Sequence, residues 1–300
     1  MNLPQPQHYI GRFAPSPSGP LHAGSLVAAV ASYLDARAHN GTWLIRIEDI
    51  DEGRTVPGAA EQIIDTLGAF GMVSDGEIVW QSRRKDLYQA AFDRLAAHAY
   101  PCGCNRREIA DSRLGLAPDG AALYPGVCRE GVPDGRTMRS LRVRVPEPGH
   151  DLISFTDRLS GEMRQLLASE SGDFVLRRAD GYWAYQLAVV IDDALQGITD
   201  VVRGADLLDS TPRQVYLQHL LGYPTPRYLH VPVLRNDAGE KLSKQTGALS
   251  IAPGDAVAAI EALLTVAHFL GLPMQRAQTL DAFWKAAIDD WSELLNLRSV

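Results

Sequence analysis

The sequence predicts an α/β protein built on a parallel sheet, and three adjoining segments near its start carry this prediction. Residues 9–14 and 42–47 are typical of strands, and residues 21–39 between them have the apolar spacing of a helix. Strand, helix and strand in this order form a βαβ unit with a right-handed crossover. Because ligands of such sheets bind beyond the carboxyl ends of the strands, residues 12–16 and 48–49 are expected to share one crevice.

The remaining segments continue the α/β pattern around one irregular stretch. Residues 101–139 are rich in Gly, Pro and Cys and predict an irregular insertion. The other predicted elements are helices at 59–70, 84–100, 182–195, 253–270 and 277–295, and strands at 174–178 and 198–203.

Composition limits the class of protein. The chain has 300 residues, of which 46% are hydrophobic and 22% charged, as in an ordinary globular protein. No run of about 18 apolar residues predicts a membrane span, and the first residues do not resemble a secretory signal, so we expect a cytoplasmic protein with no membrane partner. A net charge of −7 excludes a generally basic surface and restricts any nucleic-acid contact to a local region.

The first chemical motif is the stretch GRFAPSPSGPLHAGS at residues 11–25. It places a turn-rich loop and a helix N-terminus after the first predicted strand, where free backbone N–H groups can bind phosphate. His22 and Ser25 are three residues apart and project from one face of the first turn, while Gly24 lets a ligand approach the backbone. The alternative is a Pro-rich turn with a capping histidine.

The second motif is EKLSKQTG at residues 240–247. Only four of the 29 basic residues are lysines, and two of these, Lys241 and Lys244, lie in this segment. A loop with Gly and two lysines can close over a triphosphate and neutralise charge as it develops. The alternative is a solvated charged loop.

The third motif contains all three cysteines of the chain, Cys102, Cys104 and Cys128. Zinc in structural sites takes four tetrahedral ligands, so three cysteines leave one position open. From the residues alone, His98, His150 or an aspartate could fill that position. The alternative is a group of three buried free thiols.

The first two motifs together resemble the HIGH and KMSKS signatures of class I aminoacyl-tRNA synthetases. RFAPSPSGPLH followed by RIED at residues 46–49 is similar to the glutamyl branch of these ligases, as are YQLAVVIDD at 185–193 and GITDVVRGAD at 197–206. Two positions depart from the signatures: Ser25 replaces the second histidine of HIGH, and Gln245 replaces the last serine of KMSKS. The resemblance implies a Rossmann-like, nucleotide-binding catalytic domain of parallel-sheet type, with a zinc-containing insertion and a short helical C-terminal part.

The resemblance also implies roles for individual residues. A buried acid such as Glu48 can pair with the ammonium group of glutamate, and Arg12 and Arg203 with its side-chain carboxylate; the alternative for Glu48 and Arg203 is an internal salt bridge. The roles of Asp49, Asp192 and Asp193 remain open between shaping the pocket and capping. The implied glutamate-binding residues are Arg12, Phe13, Ala14, Pro15, Ser16, Glu48, Tyr185 and Arg203. The implied ATP-binding residues are His22, Gly24, Ser25, Lys241 and Lys244, of which His22 and Lys244 are catalytic, with Mg²⁺ accompanying ATP.

For the metal motif, the resemblance adds Tyr124 as the fourth ligand beside Cys102, Cys104 and Cys128, in a site with one structural Zn²⁺. It also divides the chain into four parts. These are the first half of the catalytic domain at 1–100, the insertion with the zinc clip and an acceptor-binding region at 101–180, the second half with the KMSKS-like loop at 181–250, and a helical segment at 251–300.

Length bears on the acceptor, since only 55 residues follow Gln245, too few for the anticodon-reading domain of ordinary glutamyl-tRNA synthetases. The chain is therefore similar to the glutamyl-Q tRNA(Asp) synthetases, a tRNA-modifying family that activates L-glutamate without tRNA and transfers it to queuosine in the anticodon of tRNA(Asp). Alternatives are a truncated glutamyl-tRNA synthetase and a non-catalytic tRNA-binding relative. A monomer is expected.

Overall fold

The computed structural model describes residues 8–234, 256–275 and 277–297. Within these ranges the strands are β1 (Ile10–Phe13), β2 (Thr42–Ile47), β3 (Val79–Trp80), β4 (Ala99–Cys102), β5 (Ser140–Val143), β6 (Leu152–Asp157), β7 (Gly161–Leu166), β8 (Val175–Arg177), β9 (Asp200–Gly204) and β10 (Arg227–Val231). The α-helices in the same ranges are α1 (Ala23–Ala38), α2 (Ala59–Ala69), α3 (Lys85–Arg94), α4 (Arg106–Ser112), α5 (Leu167–Glu170), α6 (Tyr185–Leu195), α7 (Thr211–Leu221), α8 (Ala256–Phe269) and α9 (Leu280–Leu297).

The described residues form two compact units. The first comprises those within Met1–Trp80, Ile198–Ala205 and Pro226–Val300, and the second those within Gln81–Gly197 and Asp206–Thr225. The division of the chain at residues 100, 180 and 250 stays a prediction from the sequence. No helix of the described ranges is long and apolar enough to cross a bilayer.

The first unit contains the predicted βαβ arrangement. β1 pairs in parallel with β2, which pairs in parallel with β3, and β9 pairs in parallel with β10. β9 lies beside β1, and the amide of Thr199 donates to the carbonyl of Ile10 at 2.9 Å, so the amino ends of these two strands meet. The carboxyl ends of the strands consequently reach the same edge, and the predicted α/β class with a parallel sheet is confirmed.

Helix α1 packs against β1, β2 and β9 and is buried along most of its length because its residues are small or aliphatic. The buried carboxylate of Asp35 in this helix accepts hydrogen bonds from the Tyr9 hydroxyl (2.6 Å) and the Trp291 indole (3.1 Å). Trp291 lies in α9, which packs against α1 together with α8. The helical C-terminal part is therefore anchored in the core of the first unit.

The second unit combines antiparallel strands with helices. β4, β5 and β8 form a three-stranded antiparallel sheet, β6 and β7 form a hairpin, and α6 packs against α3 and α7. The hairpin turns at Asp157, whose carboxylate accepts hydrogen bonds from the amides of Leu159 and Ser160, and Gly161 follows with a φ of 81°. β5, by contrast, pairs with β4 and β8 across long sequence separations.

Three secondary-structure predictions were wrong or incomplete. The helix predicted at 84–100 ends at Arg94, and Ala99–Cys102 is strand β4, because this edge strand pairs with the distant β5 and tolerates Pro101. The segment predicted to be irregular contains α4, which is capped reciprocally by Asn105 and Glu108. Strands β3, β5, β6, β7 and β10 and helices α5 and α7 were not predicted, because their short segments lack a strong apolar period.

Candidate functional site

The loop after β1 is held against the carboxyl end of β2 by its backbone. The amide of Glu48 donates to the carbonyl of Pro15 at 2.9 Å, and the amide of Val56 donates to the carbonyl of Pro17 at 2.9 Å. Pro15 and Pro17 are buried while Ser16 is exposed, so the loop alternates anchored and accessible residues. The two distant segments of the sequence prediction thus meet at one edge of the sheet.

The residues of the loop differ in accessibility. Arg12 is only 3% exposed and Phe13 is buried with it, whereas Ala14 is partly exposed. A buried guanidinium group has little competing water around it, so a hydrogen bond from it to a carboxylate is strong.

His22 occupies the N-cap of α1 with an extended backbone (φ −124°, ψ 166°). Its Nδ1 accepts from the Ser25 amide at 3.3 Å, and its Nε2 lies 3.0 Å from the Ser25 hydroxyl. His22, Gly24 and Ser25 are all partly exposed. The capping geometry proposed as an alternative is therefore present, and the same geometry leaves the imidazole at the positive end of a helix dipole, where anions bind.

Glu48 and Asp49 follow β2 and are almost buried, with 9% and 8% of their surface exposed. The fully buried Arg46 donates from its Nη2 to Oε1 of Glu48 at 3.2 Å. The internal ion pair considered for Glu48 thus exists, with Arg46 as its partner. A carboxylate offers about four acceptor sites, so this pair is compatible with a second cation at Glu48.

Arg203 lies at position four of β9 and is 4% exposed. Its Nε donates to Nε2 of His230 at 3.1 Å, and its guanidinium carbon lies 5.5 Å from the centre of the Tyr228 ring. His230 and Tyr228 were not predicted as site residues. An alternating pair of aromatic residues in a short apolar strand is the only sequence signal for them, and it is typical of a strand interior.

Tyr185 is the first residue of α6, in the second unit. Two turns later in this helix, the carboxylate of Asp192 is fully buried. It accepts hydrogen bonds from Gln81 (2.8 Å), Arg84 (2.7 Å) and Tyr88 (2.8 Å). Asp192 therefore anchors α6 to the segment that contains α3.

Two of the predicted ATP-binding residues, Lys241 and Lys244, lie outside the described residues, as does the whole KMSKS-like loop at 240–247. Their roles stay predictions.

The three cysteines come together in the second unit. Their Sγ atoms all lie within 4.8 Å of one another, and the three side chains are buried. Cys104 and Cys128 are separated by 3.7 Å between sulfur atoms, and the hydroxyl of Tyr124 lies 3.4 Å from Cys102 Sγ and 3.7 Å from Cys104 Sγ. The three thiols and the phenol of Tyr124 therefore lie close together.

These spacings fit a tetrahedral metal. For zinc bonds of about 2.3 Å to sulfur and 2.0 Å to oxygen, the tetrahedral edges are about 3.8 Å between sulfurs and 3.5 Å between sulfur and oxygen. The sequence left His98 and His150 open as fourth ligands. Among the described residues, neither histidine has a ring nitrogen close enough to the three sulfur atoms to join the cluster. The chemistry of the donor set, with three thiolates, suits zinc or another soft divalent ion.

The surroundings of the cluster favour the thiolate of Cys102 and oppose that of Cys104. Burial opposes ionisation of Cys102, but hydrogen bonds from Tyr124 and Arg142 outweigh it and lower its pKa to about 7. Burial and the neighbouring thiols raise the pKa of Cys104 to about 11. The guanidinium of Arg142 lies 4.0 Å from the centre of the Tyr124 ring, so a fixed cation stands beside the site.

A buried ion pair supports the cluster. The carboxylate of Asp173 accepts hydrogen bonds from Arg129 at 2.6 and 2.7 Å and from the hydroxyl of Tyr100. Burial alone would raise the pKa of Asp173, but these bonds outweigh it and hold the pKa below its usual value. Because Arg129 follows Cys128 directly in the chain, this pair fixes the segment that carries the third thiol.

Comparison with known proteins defines the class. The family described as "tRNA synthetases class I (E and Q), catalytic domain" matches residues 10–280. The chain therefore belongs to the class I tRNA synthetases, in the branch for glutamate and glutamine.

Curated relatives define the family more narrowly. The glutamyl-Q tRNA(Asp) synthetase of Janthinobacterium sp. (strain Marseille) is 63% identical over 95% of this chain and 97% of its own length. The glutamyl-Q tRNA(Asp) synthetase of Verminephrobacter eiseniae is 60% identical over 96% of this chain and 98% of its own length. This chain is a member of the glutamyl-Q tRNA(Asp) synthetase family.

Solved structures agree with the fold. A glutamate-tRNA synthetase from Elizabethkingia anophelis superposes with a TM-score of 0.75 at 23% identity, covering 98% of this chain and 70% of that one. A glutamate tRNA ligase from Elizabethkingia meningosepticum, solved in complex with its amino acid, superposes with a TM-score of 0.74 at 26% identity, covering 96% of this chain and 64% of that one. The fold is thus that of a class I tRNA synthetase.

Proposed function

We propose that this enzyme activates glutamate with ATP, without tRNA, and transfers it to the queuosine base at the first anticodon position of tRNA(Asp). The observation that carries the proposal is the meeting of residues 12–17 with Glu48 at the edge of the first unit's sheet, beside the N-terminus of α1. Relatives named for this activity are up to 63% identical over nearly the full length, which supports the choice of acceptor.

The amino acid has one ammonium and two carboxylates, and the buried charges match this pattern. Glu48 pairs with the ammonium, and the guanidinium groups of Arg12 and Arg203 bind the side-chain carboxylate. Tyr185 offers a hydroxyl from the start of α6. Charge complementarity of this kind discriminates strongly, because a wrong ligand leaves buried groups unpaired.

Activation needs no protein nucleophile. An oxygen of the glutamate α-carboxylate attacks the α-phosphorus of ATP, the bond to the bridging oxygen breaks, and pyrophosphate leaves. Negative charge builds up on phosphate oxygens, so positioned cations and N–H groups supply much of the rate. His22 at the N-terminus of α1 and Lys244 carry this role, and Mg²⁺ bound with ATP supplies additional positive charge.

Transfer completes the reaction. A hydroxyl of the queuosine cyclopentenediol attacks the carbonyl of the mixed anhydride, an ester forms, and AMP leaves. The acceptor tRNA therefore needs a free hydroxyl on its queuosine base, and its 3′ end takes no part in the transfer.

We further propose that the cluster holds one Zn²⁺ through Cys102, Cys104, Cys128 and Tyr124. Zinc would supply folding free energy to a segment rich in Gly and Pro, in a site with no open position for substrate. A cytoplasmic, monomeric enzyme remains our prediction.

The test uses labelled glutamate with three tRNAs: tRNA(Asp) with queuosine, tRNA(Asp) without it, and tRNA(Glu). We expect glutamate-dependent ATP–pyrophosphate exchange without tRNA, and label on tRNA(Asp) that contains queuosine. After ribonuclease digestion the label should travel with the anticodon fragment, and tRNA(Asp) lacking queuosine should stay unlabelled.

Two results would contradict the proposal. Label at the 3′ end of tRNA(Glu) would identify a glutamyl-tRNA synthetase, and absence of exchange would identify a non-catalytic tRNA-binding protein. Lys244→Ala provides the matched control, since it should abolish exchange while the chain still folds.

A further inference from the structure

The strands β9 and β10 place three aromatic or cationic side chains together inside the first unit. In the parallel register Arg203 lies directly opposite His230, and Tyr228 precedes His230 by two residues on the same face. The two rings are stacked, with centroids 5.9 Å apart and 15° between their planes. His230 is 1% exposed and Arg203 4% exposed, so the contact is shielded from water.

The hydrogen bond between Arg203 and His230 fixes the protonation of the imidazole. Nε of an arginine can only donate, so Nε2 of His230, at 3.1 Å, must accept. The imidazole is then neutral and carries its hydrogen on Nδ1. The guanidinium of Arg203 is held by this bond at Nε and lies over the face of the Tyr228 ring. It therefore has little freedom to rotate.

The choice of a neutral acceptor has a consequence for ligand binding. A carboxylate in the place of His230 would hold Arg203 equally well but would add negative charge beside it and oppose binding of an anion. A neutral imidazole orients the guanidinium without adding that charge.

We propose that His230, stacked on Tyr228, is a positioning residue that orients Arg203 toward the side-chain carboxylate of glutamate. This inference rests on the function proposed above and adds a residue that determines glutamate affinity. Through Arg203, His230 acts on the amino acid and leaves ATP binding unaffected.

The competing explanation is a histidine that merely satisfies a polar group in the core. Both explanations predict lower stability when His230 is replaced. They differ in kinetics, because a purely structural residue affects the KM values of both substrates together or neither of them.

The experiment measures ATP–pyrophosphate exchange for two variants of the full-length protein. His230→Leu removes the acceptor for Nε of Arg203, so the guanidinium is no longer held in one orientation. We expect the KM for glutamate to rise about tenfold or more with the KM for ATP unchanged. His230→Gln retains a neutral acceptor near the position of Nε2, and we expect it to restore most of the affinity for glutamate.

Val231→Ala serves as the control for general disturbance of β10, since Val231 is buried in the same strand. We expect it to lower the melting temperature without changing the KM for glutamate. The inference is overturned if His230→Leu leaves that KM unchanged, if both KM values rise together, or if His230→Gln behaves like His230→Leu. Absence of exchange in the unmodified protein would instead overturn the proposed function.

Discussion

The strand-edge site of the first unit and the cysteine cluster of the second are built by different means. At the strand edge, backbone hydrogen bonds set the geometry, such as the bond from the Glu48 amide to the Pro15 carbonyl. Because these bonds do not depend on side-chain identity, the backbone would keep its place if many of the side chains were replaced. In the cluster, four side chains within a Gly- and Pro-rich segment define the geometry themselves. A site of the first kind should lose activity on mutation and keep its fold, whereas one of the second kind should lose its fold.

The largest effect is expected for Cys104→Ser. Structural zinc binds with roughly 10–16 kcal/mol in small domains, and three thiolates supply most of this affinity. We expect zinc content to fall from about one ion per chain to near none and thermal unfolding of the second unit to broaden. Elemental analysis and calorimetry measure both quantities. Zinc retained at the original level in the variant would contradict the metal site.

The next effect concerns the ion pair beside the cluster. Asp173→Asn removes the buried carboxylate that accepts hydrogen bonds from Arg129 and Tyr100, while Arg129 keeps Glu147, and we expect the free energy of unfolding to fall by about 3 kcal/mol at pH 7. Because the pKa of Asp173 is lowered on folding, its stabilisation is present above the unfolded pKa near 3.8 and disappears as the pH falls.

Urea unfolding of the original chain and the Asp173→Asn variant at pH 7 and at about pH 3 tests this prediction. The difference between the two proteins should shrink on acidification, and metal release, which affects both, cancels from it. A difference that stays constant with pH would show that Asp173 is not charged in the folded state.

A third prediction tests the strand-edge site without disturbing its helix. His22→Asn removes the imidazole but keeps a good N-cap for α1. We expect the kcat of pyrophosphate exchange to fall about a hundredfold, as on loss of one group that stabilises developing charge. Melting temperature and zinc content should stay at their original values, and a parallel loss of either would assign His22 a structural role.

The smallest effect is expected for Tyr124→Phe, which keeps the ring beside Arg142 and removes only the hydroxyl. Burial and hydrogen bonds to the thiols raise the pKa of Tyr124 well above its usual value in the metal-free protein, so a metal must first displace a proton. We expect the affinity for zinc to fall only about tenfold, with water in the fourth position. Competition with a chromophoric chelator measures the affinity for zinc. An affinity equal to that of the original protein would show that Tyr124 is not a ligand.

The sequence predicted more of the strand-edge site than of the cysteine cluster and its surroundings. β1, α1, β2 and the loop between them follow from local spacing and turn residues, so the places of Arg12 and Glu48 at strand ends and of His22 at a helix N-terminus were predicted from the sequence; their roles stay predictions. The contact between His230 and Arg203 was not predicted, because it depends on the register between β9 and β10, which the sequence leaves open.

The three cysteines of the cluster were evident in the sequence because they are rare. The hydrogen bonds between Asp173 and Arg129 that support the cluster were not. Asp173 reaches Arg129 across 44 positions of the chain, and only the folded sheet brings them together. Pairings of this kind depend on tertiary structure and leave no local pattern.

The bond between Trp291 and Asp35 has a consequence for how the chain folds during synthesis. Asp35 is made early and is fully buried, but one of its donors, the indole of Trp291, is synthesised 256 residues later. While the ribosome is still translating the middle of the chain, the first unit must wait with this carboxylate incompletely satisfied. Most of the second unit, by contrast, is one continuous stretch, Gln81–Gly197, which is complete before the C-terminal helices are synthesised.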